Sequence, residues 1–83
     1  MPEILIYTKN WCGFCQAAKA LLQQLGLPYS EVDVTHDAER YSEMLARSDG
    51  RTTVPQIFVD GQGIGGFTDL RRLVQEGRFP PSP

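Results

Sequence analysis

Eighty-three residues with a formal charge of −2, of which 41% are hydrophobic and 22% charged, make one small, slightly acidic domain, because a chain this short cannot enclose two cores of ordinary size. The largest basic cluster is Arg71–Arg72, which leaves no electrostatic footprint for nucleic acid and none for anionic membranes. The longest apolar run near the start, Ile4–Ile6 with Tyr7, falls far short of the ~20 residues that span a bilayer and lacks the basic flank of a signal peptide, so a cytoplasmic location is expected.

In chain order, Glu3–Thr8 (EILIYT) is a short β-branched and aromatic run that suits a buried strand. A polar stretch, Lys9–Trp11, leads into CGFCQAAKALLQQLG, where Cys15, Ala18, Leu22 and Leu25 recur at helical spacing. Gly26 supplies the stop, so a helix is expected from about Gly13 to Leu25. After Leu27 and Pro28, YSEVDV sets Tyr29, Glu31 and Asp33 against Ser30, Val32 and Val34, the period of a strand with unlike faces. Asp37 caps a second helix with Tyr41, Met44 and Leu45 on one face and Arg40, Glu43 and Arg47 elsewhere; Ser48, Asp49 and Gly50 end it.

VPQIFVDGQGIGG then reads as a hairpin with an Asp60–Gly61 turn, an irregular loop and a short second strand over Gln62–Gly65. Phe67 or Thr68 opens a last helix with Leu70, Leu73 and Val74 as its apolar face and Gly77 past its end. RFPPSP, from Arg78 onward, is expected to be a loose tail. The order βαβαββα, with a parallel crossover first and a hairpin later, predicts an α/β fold, a four-stranded mixed sheet flanked by three helices, in a single domain over residues 1–83.

Cys12 and Cys15 stand three residues apart at the start of the first helix, where i and i+3 neighbours lie ~5–6 Å apart at Cβ. A slightly tightened turn reaches disulfide range. A structural staple is a poor reading, because closing a four-residue ring contributes only about 2 kcal/mol. Zinc would need two further ligands, and the sequence offers only His36 and scattered carboxylates. Redox chemistry fits the spacing best. Cys12 meets the unsatisfied N–H groups and positive end of the helix while Cys15 lies a turn inside, which makes Cys12 the expected attacking thiolate. Thiol exchange needs no general base, so His36 reads as a surface residue; Met44 reads as core, and Trp11 fits either packing or a rim for client proteins.

The stretches YTKNWCGFCQAAKALL, YSEVDV, RSDGRTTVPQIFVDG and IGGFTDL, in this order, resemble a glutaredoxin. The resemblance implies the minimal thioredoxin fold, a cis peptide bond at Pro55, and glutathione as partner thiol and co-substrate. It implies that Lys9 pairs with the glycine carboxylate of glutathione and that Thr53, Val54 and Pro55 hold its cysteine moiety. Gly66, Phe67, Thr68 and Asp69 would hold the γ-glutamyl end, and Phe14 would flank the sulfur. The helix position that helps hold the glycine carboxylate falls near Arg40 or Tyr41, with Arg40 the candidate.

CGFC shares its Gly and Phe with the CGFS motif of monothiol relatives, but this chain has neither their insertion before the cysteine nor their WP motif, so the dithiol class is expected. The function implied is glutathione-dependent reduction of glutathione mixed disulfides and of disulfides in client proteins, with Cys12 as nucleophile, Cys15 resolving, no metal and a monomer as the default. The alternative is a carrier in which two chains share a [2Fe–2S] cluster through Cys12 of each and two glutathione thiolates, with the Gly13 N–H supporting the cluster sulfur.

Overall fold

Residues 2–81 are described by a computed structural model. The elements are β1 (Ile4–Thr8), α1 (Gly13–Gln24), β2 (Ser30–Asp33), α2 (Ala38–Arg47), β3 (Gln56–Val59), β4 (Gln62–Gly65) and α3 (Phe67–Gln75), in the order expected. They form one mixed sheet with strand order β2-β1-β3-β4. β1 pairs parallel with β2 and antiparallel with β3, and β3 pairs antiparallel with β4.

Alternation along the strands sends successive side chains to opposite faces and so divides the core in two. Ile4 and Ile6 of β1 and Ile57 and Val59 of β3 meet Ala18 and Leu22 of α1 and Leu70 of α3. On the other face Tyr7, Val34 and Phe58 meet Met44 of α2, with Tyr41 and Leu45 packed beside them, so the face expected of the second helix is the one it buries. Two helices therefore cover one side of the sheet and one covers the other.

The local stops act where the residues allow them. Asp37 accepts the Arg40 backbone N–H at 3.0 Å and caps α2. Asp60 and Gly61 both adopt positive φ, 50° and 84°, which gives the tight two-residue turn that matches strand twist. The irregularity expected in that hairpin lies in the ladder instead, as a register shift between Ile57 and Phe58.

Two expectations are corrected. Leu25 does not continue the apolar face of α1; it is the C-cap, exposed, because the helix gives way to Gly26 at φ 69°. The tail is not loose from Arg78, since the Arg78 N–H donates to the Leu73 carbonyl at 2.8 Å and Phe79 packs against the cluster under α1 and α3. Ser82 and Pro83 lie outside the described residues.

Tyr7 is wholly buried and donates its hydroxyl to Glu43 of α2, and its pKa is pushed up to about 12, first by burial and then by that hydrogen bond. Glu43 sits below its ordinary range, held there first by the Tyr7 hydroxyl and then by Arg40. Between pH ~10 and 12 the unfolded tyrosine has lost its proton while the folded one keeps it, so stability falls as pH rises, by up to about 1.4 kcal/mol per pH unit. In urea unfolding across this window, the advantage of the intact protein over Tyr7→Phe is expected to shrink; a constant difference would refute the assignment.

Candidate active site

β1 ends at Thr8, and the chain turns through Lys9, Asn10 and Trp11 before α1 begins. Asn10 is tied to the far side of this turn, its N–H donating to Thr35 Oγ1 at 2.8 Å. Trp11 has φ 58°, an uncommon conformation for a bulky residue, and its side chain is fully exposed. It therefore does not pack against the core, and it stands beside Cys12.

Cys12 is the N-cap of α1, extended at φ −107° and ψ 107°, and its sulfur accepts the Cys15 backbone N–H at 3.2 Å. The sulfur occupies the place of an ordinary capping oxygen and meets the end of the helix where anions are favoured. On its other side the Cys12 thiol reaches the Val54 carbonyl at 3.7 Å. Both cysteines are free; Cys12 is half-buried and Cys15 buried. Burial pushes the Cys15 thiol up to about 12 and its hydrogen bond with Cys12 adds to this, while the Lys9 backbone and the Lys19 ammonium act in the opposite direction. The asymmetry expected from position along the helix is thus present in exposure and environment.

The Val54–Pro55 bond is cis, as expected. Val54 opens onto a groove of about 270 Å³ lined by Phe14, Thr53, Val54, Pro55, Gly66, Phe67 and Thr68, all seven of them residues expected at the site. The rings of Phe14 and Phe67 stack at one wall with centroids 6.2 Å apart. The floor is braced from beneath by Gln56, a buried side chain whose Nε2 donates to the Thr53 carbonyl at 2.9 Å and to Thr53 Oγ1 at 3.2 Å.

The remaining expected residues are placed differently. Asp69 turns back on its own helix, its Oδ2 accepting the Gly66 N–H at 3.0 Å, with Arg72 at 3.5 Å from Oδ1. Lys9 lies in a neighbouring concavity with Val34, Thr35, His36, Asp37, Ala38 and Tyr41, its Nζ 4.8 Å from the Tyr41 ring centroid. Arg40 is committed to Glu43 at 2.9 Å and does not line that concavity, so the residue α2 brings to Lys9 is Tyr41. His36 is exposed, as expected. A further concavity lined by Arg47, Asp49, Arg51 and Gln56 contains neither cysteine. Among the described residues no three His, Cys, Asp or Glu side chains converge to hold a metal ion, and no helix is long and apolar enough to cross a membrane.

The glutaredoxin family model matches residues 4–64. The chain belongs to the glutaredoxin family. It is 47% identical over 81 residues to Glutaredoxin 3 of Escherichia coli (strain K12), covering 98% of this chain and 96% of that protein. It is 42% identical over 79 residues to a glutaredoxin of Pseudomonas aeruginosa, covering 95% and 93%. Among solved structures, a buckwheat glutaredoxin–glutathione complex superposes with a TM-score of 0.82 at 28% identity, covering 96% of this chain and 74% of that one. Glutaredoxin 1 of Francisella tularensis, complexed with cacodylate, gives 0.78 at 33% identity, covering 92% and 95%. As a glutaredoxin the chain has the thioredoxin fold and is a thiol–disulfide oxidoreductase.

Sequence reasoning brought Lys9 together with Arg40 or Tyr41, but missed two contacts around this glutaredoxin site: the Gln56 brace and a bridge from Thr8 through Glu31 to Lys19. Gln56 beside a turn proline is the one signal available for the first. The second joins elements far apart in the chain, and no local pattern marks it.

Proposed function

We propose that the protein reduces glutathione mixed disulfides and protein disulfides through Cys12. The observation that carries this reading is the half-exposed Cys12 sulfur at the N-terminus of α1, against the Val54 carbonyl that opens the groove. Cys12 thiolate attacks the glutathionyl sulfur of a mixed disulfide, the client departs as its thiolate, and a second glutathione thiolate attacks the adduct to give oxidised glutathione and free Cys12. With a protein disulfide, Cys12 forms the mixed disulfide and Cys15 attacks Cys12 Sγ, releasing the client; two glutathiones then reduce the Cys12–Cys15 bond.

In this reading Lys9 takes the glycine carboxylate, the Val54 backbone pairs with the cysteine moiety beside Thr53 and Pro55, and Phe14 flanks the sulfur. Gly66, Phe67 and Thr68 present the N-terminus of α3 to the γ-glutamyl carboxylate, and Asp69 meets its amino group. The exposed Trp11 forms a rim for client chains. The alternative is a [2Fe–2S] cluster shared by two copies, which would take Cys12 from each chain and the thiolates of two glutathiones. Exposing Cys15→Ser to oxidised glutathione is expected to leave one glutathionyl group, mapped by mass spectrometry to Cys12. An unmodified chain after prolonged exposure would overturn the proposal.

A further inference from the structure

Beneath the cysteine pair, three elements meet in a polar bridge that the exchange steps above do not use. Glu31 of β2 accepts at the same Oε2 from the buried Thr8 hydroxyl of β1 at 2.7 Å and from the Lys19 ammonium of α1 at 3.1 Å. The Lys19 side chain is only 19% exposed. Long lysine chains on a helix ordinarily carry their charge out to water, and this one is held in against the sheet. Its helical position is four residues after Cys15, so the two side chains share one face, ~5–6 Å apart at Cβ. An ammonium has three donors, and Glu31 occupies one of them.

We propose that Lys19 is a positioning residue for the resolving step: fixed by Glu31 and Thr8, its charge supports the thiolate that Cys15 becomes when it attacks the Cys12 mixed disulfide. The inference rests on the reading of Cys15 as the resolving thiol. In that step Cys15 releases its proton to water, its sulfur bonds to Cys12 Sγ, and the bond from Cys12 to the client breaks. The electron pair leaves on the client sulfur, which then takes up a proton. Lys19 stays protonated throughout, and the two electrons that reduce the client come from the cysteine pair.

The step needs such support because Cys15 faces opposing influences. Burial and the Cys12 sulfur both resist its ionisation. Against them stand the Lys9 backbone, from the loop after β1, and Lys19 on α1 itself. Lys19 is in turn held in its charged form first by its hydrogen bond to Glu31, with Tyr29, at the start of β2, and Cys15 contributing. A nearby positive charge favours the ionised form, and Lys19→Met would also leave the Glu31 carboxylate without its cation beside Cys15, so removal of the ammonium lowers the thiolate fraction at fixed pH.

The test compares Lys19→Met, Lys19→Arg and the parent in two assays. In the first, a chain glutathionylated on Cys12 is kept without free glutathione, and release of glutathione by Cys15 is timed between pH 6 and 9. Lys19→Met is expected to release it severalfold more slowly, with its profile displaced to higher pH, and Lys19→Arg is expected to restore the parent profile. In the second, iodoacetamide alkylates Cys15 in a Cys12→Ser background, which needs no glutathione and stands even if the glutathione reading fails; the same loss and rescue are expected. A merely structural role predicts the opposite sign, since a loosened α1 exposes Cys15 and speeds its alkylation. A parent-like or faster rate in Lys19→Met, or failure of Lys19→Arg to restore it, would overturn the inference.

Discussion

Cys12→Ser is expected to lower glutathione-coupled reduction of a small glutathione mixed disulfide by roughly 10³-fold or more, because the group that forms the covalent intermediate is gone. Cys15→Ser is expected to keep turning the same substrate over while losing the reduction of a protein disulfide. The difference follows from what each sulfur can reach. Cys12 is half-exposed and caps α1 from outside, whereas Cys15 is buried, out of reach of a protein disulfide until that protein is attached to Cys12. The substrates matter as much as the variants: a glutathione adduct on Cys12 is cleared by a second glutathione from solution, but a protein adduct is cleared fastest from within. Steady-state rates with both substrates are the check, and activity surviving in Cys12→Ser but not in Cys15→Ser would exchange the two roles.

The largest expected effect on stability lies at Gly65, the last residue of β4. Its φ is 107°, outside the range open to residues with a side chain, and an added Cβ would meet Asp69 Oδ2 at 2.2 Å and Cγ at 2.7 Å. Asp69 cannot move aside freely, because the same oxygen holds the Gly66 N–H at the start of α3. Gly65→Ala therefore combines backbone strain of about 1–3 kcal/mol with loss of a helix cap of about 1 kcal/mol. For a domain of this size the expected fall in Tm is roughly 10–25 °C. In an Asp69→Ala background the cap is already lost and the collision relieved, so the same substitution costs less, and the shortfall from additivity measures the contact. Thermal melts of the four proteins test this, and strictly additive shifts would refute it. Gly66, Phe67 and Thr68 line the groove immediately beyond, so the KM for glutathione is expected to rise in Gly65→Ala as well.

Much of this molecule is legible in the residues because its strongest signals are local. The β-branched and aromatic run Ile4–Tyr7 marks β1, Asp60–Gly61 marks the turn, Asp37 marks the start of α2, and the Cys12–Cys15 pair marks the start of α1. Misreadings came where a local rule lost to its neighbours. Leu25 keeps the helical period, but the chain is already leaving the helix toward Gly26. A Pro-rich tail suggested looseness, and Phe79 finds an apolar surface in space rather than in sequence. Arg40 and Tyr41 stand side by side in the sequence, but consecutive residues on a helix point about 100° apart; Arg40 is held by Glu43, and the one turned toward Lys9 is Tyr41. The Thr8–Glu31–Lys19 bridge joins three elements, each contributing one unremarkable polar residue, and only their meeting distinguishes them.

Trp11 is the only tryptophan in the chain, and it stands fully exposed one residue before Cys12. Indole emission responds to nearby disulfides and to burial by a bound partner. The protein thus carries its own optical probe at the place where its chemistry changes, and successive steps of a single turnover can be timed by fluorescence without a label and without altering either cysteine.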